Sequence, residues 1–529
     1  MINIQDNFSS SRSRWGSIFV LILLLVYLTV VVRTAWLCDD AYITLRTVDN
    51  FIHGYGLTWN VTERVQAYTH PLWMFLLSLG YYLTREDYYT TMYLSIGVSL
   101  LATILFAIKI PKTLGAALLA LLALTFSKAF IDYSTSGMEN PLTHLIIVLF
   151  LWVFLARRSD DRSIFWLAFL AALGALNRPD ALLLFIPPLA YKIWEARRVR
   201  AVIFAGLGFA PVLLWTFFSL FYYGFPFPNT AYAKLATGIA PTTLLVHGID
   251  YLVNSWRYDP LALVTIATAG VVSIVSRRLS YLSMILGICL YLSYLVTIGG
   301  DFMSGRFLTA PFLFAAALIA QLPIQASLKS PWSLAILGVI AIGMLAPFPT
   351  ILSDAIYRPN PPGGKYVDAD GIADERGVYF KATGLIVPRD GPPNIDNPWA
   401  IEGRGYRDSG EKLVVVHNIG FIGFFAGPQV HILDTYALGD PLLSKLPVKP
   451  RERLRIGHFL RLVPCGYRET LVSGVNRIKD KNLAAYYDKL ALITRGNLFD
   501  RDRFIEIWNL NTGKYDRLLK SYRLEWQCD

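Results

Sequence analysis

Charge is scarce in this chain. Asp, Glu, Lys and Arg make up 16% of the 529 residues, apolar types make up 54%, and the mean hydropathy is +0.44. A soluble globular domain carries about a quarter charged residues, so that class is excluded and a membrane class is indicated. Cysteine is scarce too: four residues without paired C-x-x-C spacing exclude a zinc ribbon and a disulfide-built scaffold. No basic, aromatic-interleaved stretch of the nucleic-acid-binding kind occurs, and no internal repeat. The net charge of +11 is therefore assigned to cytoplasmic loops and anionic lipid headgroups. No small-residue cleavage site follows the first apolar run, 16–32, which Arg12 and Arg14 precede, so the run is expected to stay as an anchor.

What the chain has is apolar runs. Besides the first, they lie near 72–83, 91–108, 113–127, 141–156, 163–176, 180–194, 201–222, 260–276, 279–298, 307–323 and 333–350. Lys and Arg gather between them in SRSR (11–14), KIPK (109–112), RRSDDR (157–162), EARRVR (195–200), RR (277–278) and around Lys329. Such clusters favour the cytoplasmic side, and all can face it only if one run does not cross. The shortest, PLWMFLLSLGYYL (71–83), is expected to lie in the interface or re-enter. About eleven crossings then remain, and an odd number puts the chain after residue 351 outside the cytoplasm.

Composition changes there to Pro-, Asp- and Arg-rich text. Two regions are thus expected: 1–351, a transmembrane catalytic region with an extracytoplasmic first loop at 38–90, and 352–529, a soluble extracytoplasmic domain. In the latter, LVVVHNIG and VHILD read as strand, turn or helix, strand, giving an α/β class. Cys38 and Cys289 fall at or in the membrane, whereas Cys465 and Cys528 share a compartment where disulfides persist and are expected to pair.

The stretch AWLCDDAYITLRTVDN sets Asp39 and Asp40 at the hydrocarbon boundary, where carboxylates are costly unless paired or used. The loop behind them carries Tyr42, Arg46, Glu63, Gln66, Tyr68 and His70. Other outward junctions bring Glu139, Arg178 with Asp180, Asn229 with Lys234, and Asp301 with Arg306. Any one of these alone reads as a snorkelling charge or a local ion pair. A transporter would place such groups at mid-depth in broken helices, so their boundary positions point to a reaction at the outer surface. Arg and Lys suit a phosphate, and a carboxylate suits a hydroxyl proton or a sugar carbon. His417, Asp434 and His458 are candidate acceptor contacts.

The run DDAYITLRTVDNFIHGYGLTWNVTERVQAYTHPLW, with SGMEN, NRPDA, NTAYAK, GGDFMSGRF and NIGFIGFFAGPQVHILDTYALGDPLL, resembles the GT-C membrane glycosyltransferases, and within them the terminal (β-1,2) arabinofuranosyltransferase family of mycobacterial cell walls. The resemblance implies a polytopic α-helical GT-C fold that moves a sugar, D-arabinofuranose, from a polyprenyl-phosphate donor to a cell-envelope glycan or glycoprotein. It implies Asp39 and Asp40 as the acidic pair, Glu139 as a second acidic position, and Lys234 and Arg306 on the donor side. It places the chain in a bacterial inner membrane, with no metal or cofactor and no nucleic-acid partner. Thr62, Gln66 and Ala67 depart from the family's Gly, Glu and Gly, which bears on donor and acceptor identity more than on reaction class. A hexosyl- or aminoarabinosyltransferase remains a same-class alternative, and a lipid-linked glycan flippase, with Asp39 and Asp40 as gating charges, one of a different class.

Overall fold

The computed structural model describes residues 14–156, 159–235, 237–325, 332–354, 366–388, 395–449 and 454–522. Every apolar run becomes helical. In order they are α1 (Arg14–Thr34), α2 (Asp39–Ile52), α3 (Pro71–Thr84), α4 (Tyr88–Lys109), α5 (Leu114–Phe126), α6 (Lys128–Asp132), α7 (Asn140–Leu155), α8 (Asp161–Asn177) and α9 (Leu182–Ala196). There follow α10 (Val199–Gly208), α11 (Ala210–Tyr222), α12 (Asn229–Leu235), α13 (Pro241–Tyr258), α14 (Pro260–Ser276), α15 (Leu279–Thr297), α16 (Thr309–Ile319) and α17 (Trp332–Leu345).

The protein is an integral multi-pass membrane protein, but length sorts its helices. Among the described residues α1, α4 and α15 are long and apolar enough to cross, or up to five spans if the bent pairs α10–α11 (44°) and α13–α14 (108°) each count as one. Against the expected eleven or so crossings, α5, α7, α16 and α17 are shorter apolar helices, below the roughly 17–25 residues that hydrocarbon thickness demands of an upright span. Capping residues and prolines cut them: the Thr113 hydroxyl accepts the Ala116 N–H to start α5, and Pro141 opens α7. With 14 residues, α3 is also short; its Phe75, Leu79 and Leu83 are exposed while Trp73, Met74 and Leu77 are buried.

The later part contains α18 (Glu375–Thr383), α19 (Pro398–Asp408), β1 (Leu413–Val416), α20 (Phe421–Ala426), β2 (His431–Asp434), α21 (Tyr467–Ser473), α22 (Lys481–Arg495), α23 (Arg501–Asn511) and α24 (Asp516–Lys520). Strand, helix and strand fall where LVVVHNIG and VHILD are written, and β1 and β2 pair in parallel with Leu413 opposite His431 and Val416 opposite Asp434. Cys465 is disulfide-bonded and Cys38 and Cys289 are free; Cys528, Arg12, Arg157 and Lys329 lie outside the described residues.

The later part is welded to the earlier one. One core joins Ile43, Trp59, Ala67 and Ala233 to the apolar side chains of β1, α20, β2 and α22, and the main membrane-side core takes in Tyr379, Phe380, Ala400 and Phe421. Helix α2 is the shared plate. Its apolar residues Tyr42, Leu45 and Val48 recur at helical spacing, and the Tyr42 ring lies 4.8 Å from Phe421 and 5.1 Å from Phe424. Two turns of backbone here approach so closely that Gly420 has no room for a side chain: a Cβ would run into the Asp39 carbonyl. Gly420→Ala is therefore expected to destabilise the detergent-purified protein by about 1–3 kcal/mol or more, the ordinary cost of overpacking, read as a lowered melting temperature.

Candidate active site

Residues 35–38, between α1 and α2, are held from both sides. Ala35 O accepts from Leu385 N at 2.9 Å, Leu37 exchanges hydrogen bonds of 3.2 and 2.7 Å with the Thr383 hydroxyl, and Cys38 N donates to Ser136 O at 2.9 Å. The chain so placed enters α2 with Asp39 and Asp40 as its first two residues, where free helix N–H groups favour negative charge.

The two carboxylates are treated differently. Asp39 turns to α20: its oxygens accept from Phe421 N at 2.7 Å and Gly420 N at 3.2 Å. Burial pushes its carboxyl up, the Phe421 N–H draws it back, the Asp40 charge raises it again, and it comes to rest at about 7. Asp40 is half-buried and, among the described residues, makes no hydrogen bond or ion pair. It lies within electrostatic reach of Arg306, Asp301 and Glu375.

Beneath them sits Glu139, 1% exposed, at the N-cap of α7. It takes Arg306 Nη2 at 2.9 Å and Arg178 Nη1 at 3.1 Å on one oxygen and faces His70 Nδ1 at 3.4 Å with the other. Burial would raise its carboxyl, but Arg306, His70 and Arg178 outweigh that and hold it well below the usual carboxylate range. Burial and the two guanidinium charges keep His70 neutral, down at about 4 despite Glu139, and its Nε2 meets the Thr44 hydroxyl at 2.8 Å. Arg178 also forks onto Asp180, at 3.1 and 2.7 Å, and lies 4.2 Å from the Phe307 ring centre. Arg306 reaches Asp301 at 3.7 Å. Several shielded polar atoms here have no hydrogen-bond partner among the described residues: Arg306 Nε, Asp301 Oδ2 and Glu139 Oε2. Buried orphans of this kind are costly and cluster where a polar ligand binds. Lys234, exposed, lies within electrostatic reach of Asp301.

Other side chains singled out from the sequence serve the weld. Arg46 donates to the carbonyls of Trp59 (2.8 Å), Val430 (2.9 Å) and Gly423, so its guanidinium is spent on main chain and not on a phosphate. Glu63 pairs with Arg495 at 2.9 Å. Gln66 donates to Tyr68 O at 3.0 Å, and the Tyr68 hydroxyl meets that of Tyr223 at 2.9 Å. Asn229 donates to Ala437 O, Leu438 O and Asp440 O at 2.9–3.1 Å. Tyr42 is core, as above. Asp434 is fully buried and accepts N–H groups from Tyr436, Leu438 and Gly439, closing a turn out of reach of any acceptor. His417 bonds the Thr435 hydroxyl. His458 instead comes to the site, its ring edge-on to Phe302 at 4.5 Å. Two residues that sequence reasoning passed over also arrive there: Glu375 and Arg455, 3.5 Å apart. Among the described residues no group of three His, Cys, Asp or Glu is placed to hold a metal ion.

Residues 17–230 match the model of the Alg9-like mannosyltransferase family. The chain is 25% identical, over 81% of its length and 81% of the relative's, to the terminal beta-(1->2)-arabinofuranosyltransferase of Mycobacterium tuberculosis. It is 28% identical, over 55% of its length and 48% of the relative's, to the protein of the same name from Corynebacterium glutamicum. The chain is a membrane glycosyltransferase similar to those of the GT-C class. Among solved structures, ArnT from Cupriavidus metallidurans bound to undecaprenyl phosphate matches 80% of this glycosyltransferase and 86% of that chain, with a TM-score of 0.48 and 12% identity.

Because Asp39 is raised in the fold from the ordinary 3.8 to about 7, the native state of this glycosyltransferase holds a proton that the unfolded chain has lost between those values. Stability contributed there falls as pH rises from about 4 to about 7 and is level outside that window. The difference between wild type and Asp39→Asn in chemical denaturation should show that slope; parallel curves across the window would contradict the protonation assigned to Asp39.

Proposed function

We propose that this chain transfers a pentose, D-arabinofuranose, from a polyprenyl-phosphate donor to a hydroxyl of a cell-envelope glycan or glycoprotein. The reaction takes place at the outer face of a bacterial inner membrane, with residues 352–529 on the extracytoplasmic side. One observation carries the reading: of two adjacent carboxylates at the start of α2, one is consumed by main-chain N–H groups and the other, Asp40, has no partner among the described residues and lies within electrostatic reach of Arg306. The arabinofuranose is supported by the names of the two curated relatives, at 25% and 28% identity.

In this reading Asp40 accepts the proton of the acceptor hydroxyl as its oxygen bonds to the anomeric carbon, and the bond from that carbon to the phosphate oxygen breaks. The polyprenyl phosphate leaves with the electron pair, and Lys234 and Arg306 face the charge that develops on it. Asp39, held by α20 and raised to about 7, fixes the first turn of α2 and spares Asp40 a second full charge next to it. The isoprenoid tail stays in the bilayer, so the chemistry has to occur at the boundary.

Purified protein given polyprenyl-phosphate [14C]arabinose and a glycan acceptor should move label to the acceptor. Asp40→Asn should lower turnover about 10²–10⁴-fold, the usual worth of a general base, while still binding undecaprenyl phosphate. Wild-type turnover in folded Asp40→Asn protein, or intact lipid-linked sugar crossing liposomes without bond cleavage, would reject the reading.

A further inference from the structure

Glu375 and Arg455 come from the part of the chain after residue 366, yet both stand at the Asp301 loop. Main-chain pairing puts them there. Ala373 N donates to Phe302 O at 2.7 Å and Ser304 N donates to Ala373 O at 2.9 Å, so residues 372–374 run alongside 302–304 and Glu375 follows directly. From that point α18 leads back to the start of α2: Tyr379 lies 6.4 Å from Trp36 and 5.7 Å from Phe421, and Thr383 bonds Leu37. Glu375, 4% exposed, is thus buried between the Asp301–Arg306 loop and the Asp39–Asp40 turn. Burial pushes its carboxyl well up, Arg455 opposes, and the charges of Asp40, Asp39 and Asp301 add to the rise.

Arg455 is its one ion-pair partner among the described residues, at 3.5 Å, beyond the 2.7–2.9 Å of a tight charge-assisted hydrogen bond. The guanidinium lies 5.2 Å from the Phe302 ring centre, its side chain is 32% exposed, and its Nε, shielded from solvent, has no hydrogen-bond partner among the described residues. It therefore faces the site with donors to spare. The turn at Gly371, with φ +77°, backs onto it: a Cβ there would meet Leu454 O at 2.9 Å and the Arg455 side chain at 3.4 Å. Around the same Phe302 ring stand the His458 imidazole and the Lys234 ammonium, the latter 3.5 Å from where a Cβ on Gly457 would lie.

The deeper cations are already matched, Arg178 by Asp180 and Glu139, Arg306 by Glu139 and Asp301. An entering phosphate monoester or diester would therefore find the least closely matched positive charge at the mouth, on Lys234 and on Arg455, whose contact with Glu375 is long. We propose that Arg455 is a ligand of the donor's phosphate and that Glu375 is its positioning residue, so that the later part of the chain completes the active site. A planar guanidinium can present two parallel N–H groups to phosphate oxygens, which the Lys234 ammonium cannot. Glu375 engages one hydrogen of Nη2, so that one of the two forked edges Nη2 shares with Nε and with Nη1 stays open to the ligand. The inference rests on the polyprenyl-phosphate reading above, and its test separates the two.

The experiment uses the full chain in nanodiscs, with direct binding of undecaprenyl phosphate as a readout independent of turnover. Arg455→Met keeps the apolar stem and is expected to weaken that binding and raise the donor KM by at least tenfold, with the acceptor KM unchanged. Arg455→Lys should fall between it and wild type, and serves alone if Arg455→Met does not fold. Glu375→Gln should raise the donor KM several-fold, and Glu375→Gln combined with Arg455→Met should be no worse than Arg455→Met, because the carboxylate acts through the guanidinium. Unchanged lipid-phosphate binding in folded Arg455 variants, or fully additive losses in the double variant, would overturn the proposal. A wild-type protein that binds undecaprenyl phosphate through Arg455 yet transfers no sugar from the polyprenyl-phosphate arabinose donor would sink the function reading and leave this one standing.

Discussion

The Asp39 carboxylate, gripped by the first two N–H groups at the head of α20, is the contact on which the arrangement depends. It joins residue 39 to residue 421 at the point where the chain has just left α1. Seven residues further along α2, Arg46 repeats the join by donating to Gly423 and Val430 carbonyls. Acceptor at the helix start and donor two turns on, the two residues read the N-terminal and C-terminal polarity of the small helix they hold. With one aspartate committed, its neighbour is left without a partner among the described residues, and a dipeptide of identical residues acquires two different environments.

Beneath the pair, neutrality is managed by matching. Glu139 is a buried charge that would be untenable alone; two guanidinium groups and a histidine make it tenable, and Asp180 and Asp301 in turn match the guanidinium groups. Such a network contributes little net stability over an apolar core of equal volume, but its loss of any one member strands a charge. It fixes Arg306 and Arg178 as a stiff floor. The cations free to respond to a ligand are at the rim, on α12 and on the loop at 454–458.

A second ionic cluster explains how the later segment is aligned. Lys128 on α6 meets Asp132 at 2.5 Å and Asp374 at 3.2 Å, and Arg376 meets Asp132 at 3.1 Å. Asp374 also caps α18 by accepting the Gly377 N–H. One aspartate thus starts the helix, pins it to the membrane-side bundle, and sets Glu375 beside the Asp301–Arg306 loop. The function of the site and the attachment of the later region share the same few residues.

Helix placement was legible because apolar runs bounded by charge, Pro or Gly have few alternatives in a chain this hydrophobic, and each run proved helical. Crossing number was not, because a run's length counts residues that caps and prolines exclude from the helix. The acids and cations of the site were visible as charges where charge is costly: Asp39, Asp40, Glu139, Arg178, Asp301 and Arg306. Arg46, Glu63 and Asn229 looked the same by that criterion and proved to be braces, since a polar side chain at a boundary can serve a ligand or a main-chain carbonyl equally well. Glu375 and Arg455 gave no signal, lying in polar text where charge is ordinary. The sequence by itself determined the helices, the membrane and the acidic pair, since these follow from local composition and hydration cost. Which aspartate is bound by main chain, and which distant charges join the pair, was decided only by the tertiary structure, because those outcomes depend on partners up to 382 residues away.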